Sequence, residues 1–188
     1  MPKQKITKEL IMKAGFSLVR KKGYEAVNAR SVANAAGCSV QPIYSCYANM
    51  EQLMEELFDH CRGYQLDYVR SHLDETNYFG SSGRAHISFA QEERELFKFI
   101  FLSKYVKGTA VEDIYVQYGL QEVTDSIEAT LGLSKDKAKR LYLDMMIYTH
   151  GIAAMVAAGG MSLSFENIHE NVDRAYNAFL TQAKENER

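Results

Sequence analysis

Apolar residues recur at three- and four-residue spacing along almost the whole chain, and no alternating run of strand length interrupts them. Only two prolines are present, Pro2 and Pro42, so long helices meet few obligatory breaks. A chain patterned this way has one way to bury its apolar face, which is helix against helix. Its 188 residues suffice for one domain, or a small domain joined to a medium one, with a core that needs no covalent staples. Apolar residues at 46% and charged residues at 24% exclude a disordered or collagen-like chain. The expected fold class is all-α.

Local signals divide the pattern. Thr7 can cap a helix that carries Ile11, Ala14 and Leu18 and ends in Lys21-Lys22-Gly23, where cations and then glycine form a stop. Asn28 can start a short helix that Gly37 ends. Ser39 is expected to cap a third helix from Val40 to Tyr47, with Pro42 in its first turn. Asn49 and Gln52 suit a capping box for a longer helix carrying Leu53, Leu57 and Phe58. Thr76–Gly83 reads as a loop, followed by helices near 86–91 and 93–104. A helix from Val111 to Leu131 ends at Gly132, and Ser134 caps the next, which runs to Ala158. Gly159-Gly160 precedes a last helix with Phe165, Ile168, Val172, Ala175, Tyr176 and Phe179 on one stripe. Leu141–Ala158 is broken by Asp144, Thr149 and His150, so a membrane span is not expected.

Charge is distributed unevenly. The net charge is −2, yet residues 1–50 hold eight Lys/Arg against Glu9 and Glu25, a balance of +6. A basic head on an acidic body points to a polyanionic partner. The N-terminus has no apolar leader region, and Cys38, Cys46 and Cys61 are an odd set of thiols, so a reduced, cytoplasmic protein is expected.

Two short helices joined by Gly37-Cys38-Ser39 have the requirements of a helix-turn-helix. Ala33 is small where helices cross, Gly37 tolerates a left-handed turn, and Val32 and Ile43 can meet between the helices. With Val27–Ser39 and then Ile43-Tyr44-Ser45-Cys46-Tyr47-Ala48-Asn49-Met50-Glu51-Gln52-Leu53, the stretch 7–57 resembles the TetR family of bacterial transcriptional repressors. Asn28, Cys38, Tyr47 and Met50 stand where the family pattern has Thr, Val, Phe and Lys. Met50 lacks the cation that sits beside a DNA phosphate in relatives, so that contact is not carried over. Thr149-His150-Gly151 resembles the Trp-His-Gly element of one group of TetR C-terminal domains, without its Trp.

The resemblance implies a helix-turn-helix DNA-binding domain over residues 1–50 and a helical ligand-binding and dimerisation bundle over 51–188. It places Val40, Gln41 and Pro42 at the start of a recognition helix. Gln41 can pair with adenine, and Val40 and Pro42 can touch a thymine methyl. Tyr44, Arg30, Ser31, Ser39, Ser45 and Tyr47 are candidates for phosphate contacts. Lys3, Lys5 and Lys8 would form a basic arm along the DNA backbone or minor groove.

No coupled set of catalytic groups is visible. His60 and Cys61 are adjacent and so lie on different helix faces, and Asp144 and His150 are six residues apart. Neither an enzymatic activity nor a cofactor is expected, and no metal. The body is rich in Phe, Tyr and Met, which suits a pocket for a small apolar or aromatic effector, neutral or cationic, with Tyr115, Tyr118, Tyr148 and His150 as polar handles. The apolar helix around Ile147–Ala158, with Gly151, Ala153, Ala154, Ala157 and Ala158, is expected to pack against a second copy. The resulting expectation is a homodimeric repressor that leaves a palindromic operator when a small molecule binds. The alternative is a small-molecule-binding helical protein whose head docks another protein, which salt-sensitive DNA binding would separate from the first.

Overall fold

The computed structural model describes residues 6–159 and 164–185, with the backbone alone at Phe165. Among the described residues there are ten α-helices, a short 3-10 turn (Tyr24–Ala26) and no strand. The helices are α1 (Lys8–Lys22), α2 (Ala29–Ala36), α3 (Gln41–Cys46), α4 (Met50–Ser71), α5 (Tyr78–Glu92), α6 (Arg94–Leu102), α7 (Glu112–Tyr118), α8 (Gln121–Leu131), α9 (Lys135–Ala158) and α10 (Phe165–Glu185). They form two compact units. The first runs to Gln65 and adds Glu93–Val106; the second holds Leu66–Glu92 and everything from Lys107 onward.

In the first unit α1 lies against α2 and α6. Ile11, Val19, Val32, Ile43, Leu53 and Leu57 are fully buried. Gly15 sits so close to Leu57 that an added Cβ would be 3.2 Å from its Cδ2. The unit takes in more than residues 1–50 because two short helices, α2 and α3, cannot cover both faces of α1. Leu96, Phe97, Phe99 and Ile100 of α6 supply the missing surface. The Tyr24 ring stacks on Phe99 at 5.1 Å, and Phe58 and Tyr105 meet Phe99 edge-on.

In the second unit α9 is central and touches α5, α7, α8 and α10. Its core joins Ala85, Leu120, Val123, Ile127, Leu141, Tyr142 and Met145. By length and composition α9 could cross a membrane, but half of its apolar stretch is buried inside the unit, as in the core helix of a folded bundle. The apolar stripe of α10 lies against this core through Val172, Ala175, Tyr176 and Phe179; the side chain of Phe165, and Gly160, fall outside the described residues.

Three local expectations need correction. Residues 78–83 are not loop but the first turns of α5. Asn77 caps them, its Oδ1 accepting from the Gly80 amide at 2.9 Å. Ser81 and Ser82 are buried with their hydroxyls donating to backbone carbonyls one turn back, which removes the polar cost of helical burial. Gly83 faces α9, where a Cβ would reach van der Waals contact with Thr149 Cγ2 at 3.4 Å. Packing therefore overrides the weak helix propensity of the Gly and Ser residues.

The single helix expected over 111–131 is two, α7 and α8, divided at Gly119-Leu120. Gly119 has ordinary extended backbone, φ −70° and ψ 141°, so its role is steric. A Cβ there would lie 2.5 Å from the Tyr115 carbonyl oxygen. Finally, α3 begins at Gln41 with Val40 in the cap position and no capping side chain, so Ser39 is not its cap. Val40 is already in the helical region, φ −69° and ψ −26°, which leaves Ser39 one residue too early.

Gly119→Ala should lower the thermal midpoint by a cost of about 1–3 kcal/mol, because the added methyl meets backbone rather than a movable side chain. An unchanged midpoint in circular dichroism melts would show that the α7–α8 junction tolerates the shift.

Candidate functional site

Helix α2 is closed at both ends by neighbouring residues, and its C-terminal end makes the turn into α3. Asn28 Oδ1 accepts from the Arg30 and Ser31 amides at 3.1 and 3.0 Å, and the Asn28 amide donates to Ser31 Oγ at 2.9 Å. Gly37 ends α2 in the left-handed region, φ 68°, where a residue with a side chain would be strained. The Cys38 amide then donates back to the Ala33 carbonyl at 2.9 Å. Val32, Ala33 and Ile43 are buried beneath this turn. Downstream, Asn49 Oδ1 caps α4 by accepting from the Gln52 amide at 2.9 Å. The Gln52 side chain reaches back one residue further than a capping box requires, to the Ala48 amide at 2.8 Å.

This framework turns one side of α3 outward. Gln41 and Ser45 are exposed, Tyr44 is 53% exposed despite its ring, and Val40 and Pro42 are half-buried. Arg30 is exposed on α2, and Ser39 is exposed in the turn. Three candidates are otherwise engaged. The Ser31 hydroxyl serves the α2 cap and donates to the Ala26 carbonyl at 2.8 Å. The Ser45 hydroxyl donates to the Gln41 carbonyl at 3.1 Å.

Tyr47 is the third. It is buried, and its phenolic oxygen has no hydrogen-bond partner among the described residues. Burial, and then the Glu56 carboxylate, push its pKa up to about 12. Its ring is covered by the Lys8 ammonium 5.0 Å from the centroid. Tyr47 therefore packs from behind the exposed face rather than standing on it.

The cations are partly tied down. Lys8 pairs with Glu56 at 2.7 Å and Arg20 pairs with Glu93. Lys13, Lys21, Lys22 and Arg30 stay exposed. Lys3 and Lys5 lie outside the described residues. Cys38 and Cys46 are half-buried free thiols, and burial pushes the fully buried Cys61 thiol up to about 12, which makes it an inert packing group.

In the second unit the four candidate handles have different surroundings. Tyr115 shares a hydrogen bond of 2.7 Å with the buried Thr124 hydroxyl and meets the Tyr142 ring edge-on at 5.9 Å. Tyr148 is half-buried against the bundle core, and Tyr118 is half-buried on α7. His150 pairs with His86 of α5, Nδ1 to Nε2 at 3.3 Å. The sequence offers no signal for that pair, since its members are 64 residues apart and only the α5–α9 packing brings them together. Burial, and then the neighbouring His150, lower the His86 pKa to about 3; burial also lowers that of His150. Both rings are neutral near pH 7, one donating to the other. Asp144 pairs instead with Arg140 one turn back on α9. Among the described residues no group of three metal-ligating side chains converges.

Residues 11–57 match the family described as bacterial regulatory proteins, tetR family. A solved structure of a TetR family protein from Vibrio parahaemolyticus has the same fold. It is 15% identical, with a TM-score of 0.59, and the match covers 90% of this chain and 96% of that one. No curated protein matches the chain.

Two outcomes follow from these environments. Tyr47→Phe, which deletes the unpartnered hydroxyl and keeps the ring, should melt at a higher temperature, by a gain of up to about 1–3 kcal/mol, with DNA affinity unchanged. Below the ordinary histidine value of 6.5 the unfolded chain binds a proton that folded His86 refuses until about pH 3. Stability should fall as pH drops through that window, and His86→Gln should flatten the fall in melts between pH 7 and 4.

Proposed function

We propose that this chain, whose residues 11–57 match the tetR family of bacterial regulatory proteins, is a homodimeric repressor that reads a palindromic operator and leaves it when a small molecule binds. The observation that carries this reading is the outward face of α3, with Gln41 and Tyr44 exposed on a helix whose other side is buried. A DNA-binding transcription regulator needs such a face, free at its N-terminal end and backed by a rigid turn. The protein acts in the cytoplasm and binds its partners without transforming them chemically.

Gln41 is the base reader in this account, with Val40 and Pro42 beside it against thymine methyls. Tyr44, Arg30, Ser39 and, less directly, Ser31 and Ser45 serve the phosphate backbone. The exposed Lys13, Lys21 and Lys22 add to the field that draws DNA to the head.

Dimerisation is supported by α9. Its solvent side carries Ile147, Gly151, Met155 and Ala158 at helical spacing, with Ile147 and Met155 42% and 43% exposed. A Cβ on Gly151 would meet nothing within 4 Å, so a partner helix could approach closely. Ala153 and Ala157 are buried within the chain's own unit, and Ala154 is half-buried. A symmetric pair of such stripes would place two copies of α3 on two half-sites.

The effector belongs to the second unit, where Tyr115, Tyr118, Tyr148 and His150 offer polar contacts on aromatic and methionine-rich helices. Neutral His150 can accept or donate a hydrogen bond, which suits a neutral, largely apolar ligand. For release the ligand must prefer the DNA-incompetent arrangement; equal affinity for both arrangements shifts nothing. α4, which carries Met50, Leu53 and Leu57, is the helix that moves.

Affinity for DNA should fall steeply with salt, the logarithmic slope growing by about 0.9 for each phosphate neutralised. Gln41→Ala should relax preference at one base pair by about 1–3 kcal/mol, whereas Tyr44→Phe should weaken all sites alike. A salt titration on selected DNA with single base-pair variants checks all three, and uniform losses in both mutants would remove Gln41 as a base reader.

A further inference from the structure

His86 of α5 and His150 of α9 both belong to the second unit, where these two helices pack along each other. Gly83, one turn before His86, faces Thr149, the neighbour of His150. Both rings are half-buried, so each keeps an edge to solvent.

The two rings stand in an unusual relation. Nε2 of His86 and Nδ1 of His150 face each other at 3.3 Å, which is long for a hydrogen bond. The ring centroids are 5.5 Å apart. That exceeds the separation of the nitrogens by about two ring radii, so the imidazoles lie end to end along the line joining Nε2 to Nδ1. One hydrogen occupies that line, and a metal ion bound by both nitrogens takes the same place. The donor ring then carries its hydrogen on its outer nitrogen, and both facing nitrogens offer lone pairs. Burial lowers the pKa of each ring, so both are neutral near pH 7 and no proton need leave the pair.

The geometry and the surroundings select the ion. A tetrahedral ion such as Zn²⁺ would need the two ring axes to meet at about 109°, with two further donors. The axes here are close to collinear, and no third His, Cys, Asp or Glu joins the pair among the described residues. Asp144, on the same helix as His150, is engaged by Arg140. A divalent ion between two neutral ligands would keep its full charge, and the cost of desolvating an ion rises with the square of that charge. A monovalent ion avoids most of this cost. Imidazole nitrogen suits copper, and Cu(I) is the copper ion that is content with two ligands in a line. Two bonds of about 2 Å place the nitrogens about 4 Å apart, so the rings must part by roughly 0.7 Å. Small rotations of two histidine side chains supply that movement.

We infer that His86 and His150 form a two-coordinate site for Cu(I), bound through Nε2 of His86 and Nδ1 of His150. The ion would join α5 to α9 within the second unit. The sequence leads to no metal because its two ligands are 64 residues apart. The inference stands independently of the DNA-binding reading above.

The test uses the full-length protein carrying Cys38→Ser and Cys46→Ser, since half-buried thiols are competing soft ligands. Cu(I) is added without oxygen, in competition with a colorimetric Cu(I) chelator, to this protein and to the same protein with His86→Gln or His150→Gln. Circular dichroism verifies that each variant is helical, and if His86→Gln does not fold, His150→Gln decides. The expected result is one equivalent of Cu(I) withheld from the chelator. Affinity should fall by more than about a hundredfold in either variant, beyond what losing a group that merely supports a ligand costs. X-ray absorption at the copper edge of the loaded parent protein should show two nitrogen neighbours in line at about 2 Å and no sulfur. If no Cu(I) is withheld, if a folded histidine variant retains it equally well, or if sulfur is in the copper shell, the proposal is overturned. Zn²⁺ bound at the pair as tightly as Cu(I) overturns it too, since that would require a tetrahedral site.

Discussion

The burial of Ile43 and Val32 in the core of the first unit is the constraint on which the rest depends. α3 has six residues, far too few for a helix to persist in water by its own hydrogen bonds. It exists because its inner face is buried and because Gly37 turns the chain at an angle that presents that face to α2. The outward side, with Gln41 and Tyr44, is a consequence of what the inward side must do. α1 in turn needs cover from Leu53 and Leu57 of α4 and from the apolar face of α6, so residues far along the chain hold the short helices in place.

That dependence explains which features were legible in the sequence. Thr7, Asn28, Gly37 and Asn49 act within three or four residues of themselves, and each forms the cap or turn its type suggests. Local chemistry also misled where a neighbour decided otherwise. Gly80 and Gly83 read as loop, but this stretch packs on α9 as part of α5, and the buried serines satisfy themselves on their own helix. Gly119 was hidden within a helical pattern because its need for a missing Cβ is set by the Tyr115 carbonyl, a contact no periodicity records. Ser39 had the right chemistry for a cap and stood one residue from the position that needed one.

The candidate site divides in the same way. Gln41, Tyr44 and Arg30 are exposed where a resemblance placed them, whereas Tyr47 turned inward, because an aromatic ring at the end of α3 covers the core beside Lys8 and Glu56. Pairings between distant residues were out of reach. His86 with His150, and Arg20 with Glu93 and Tyr64, are each products of helix packing between elements that the sequence could delimit but not arrange. Buried polar groups of this kind specify an arrangement more than they stabilise it.

The central claim is that α3 enters the major groove of DNA at two symmetric half-sites. Methylation interference addresses it directly, since guanine N7 lies in the major groove and adenine N3 in the minor groove. On DNA retained by the wild-type protein, the account predicts two symmetric clusters of guanine N7 positions whose methylation blocks binding, with centres about one helical turn or a multiple of it apart. Binding that is blocked only by methylation at adenine N3, or by none, would contradict it.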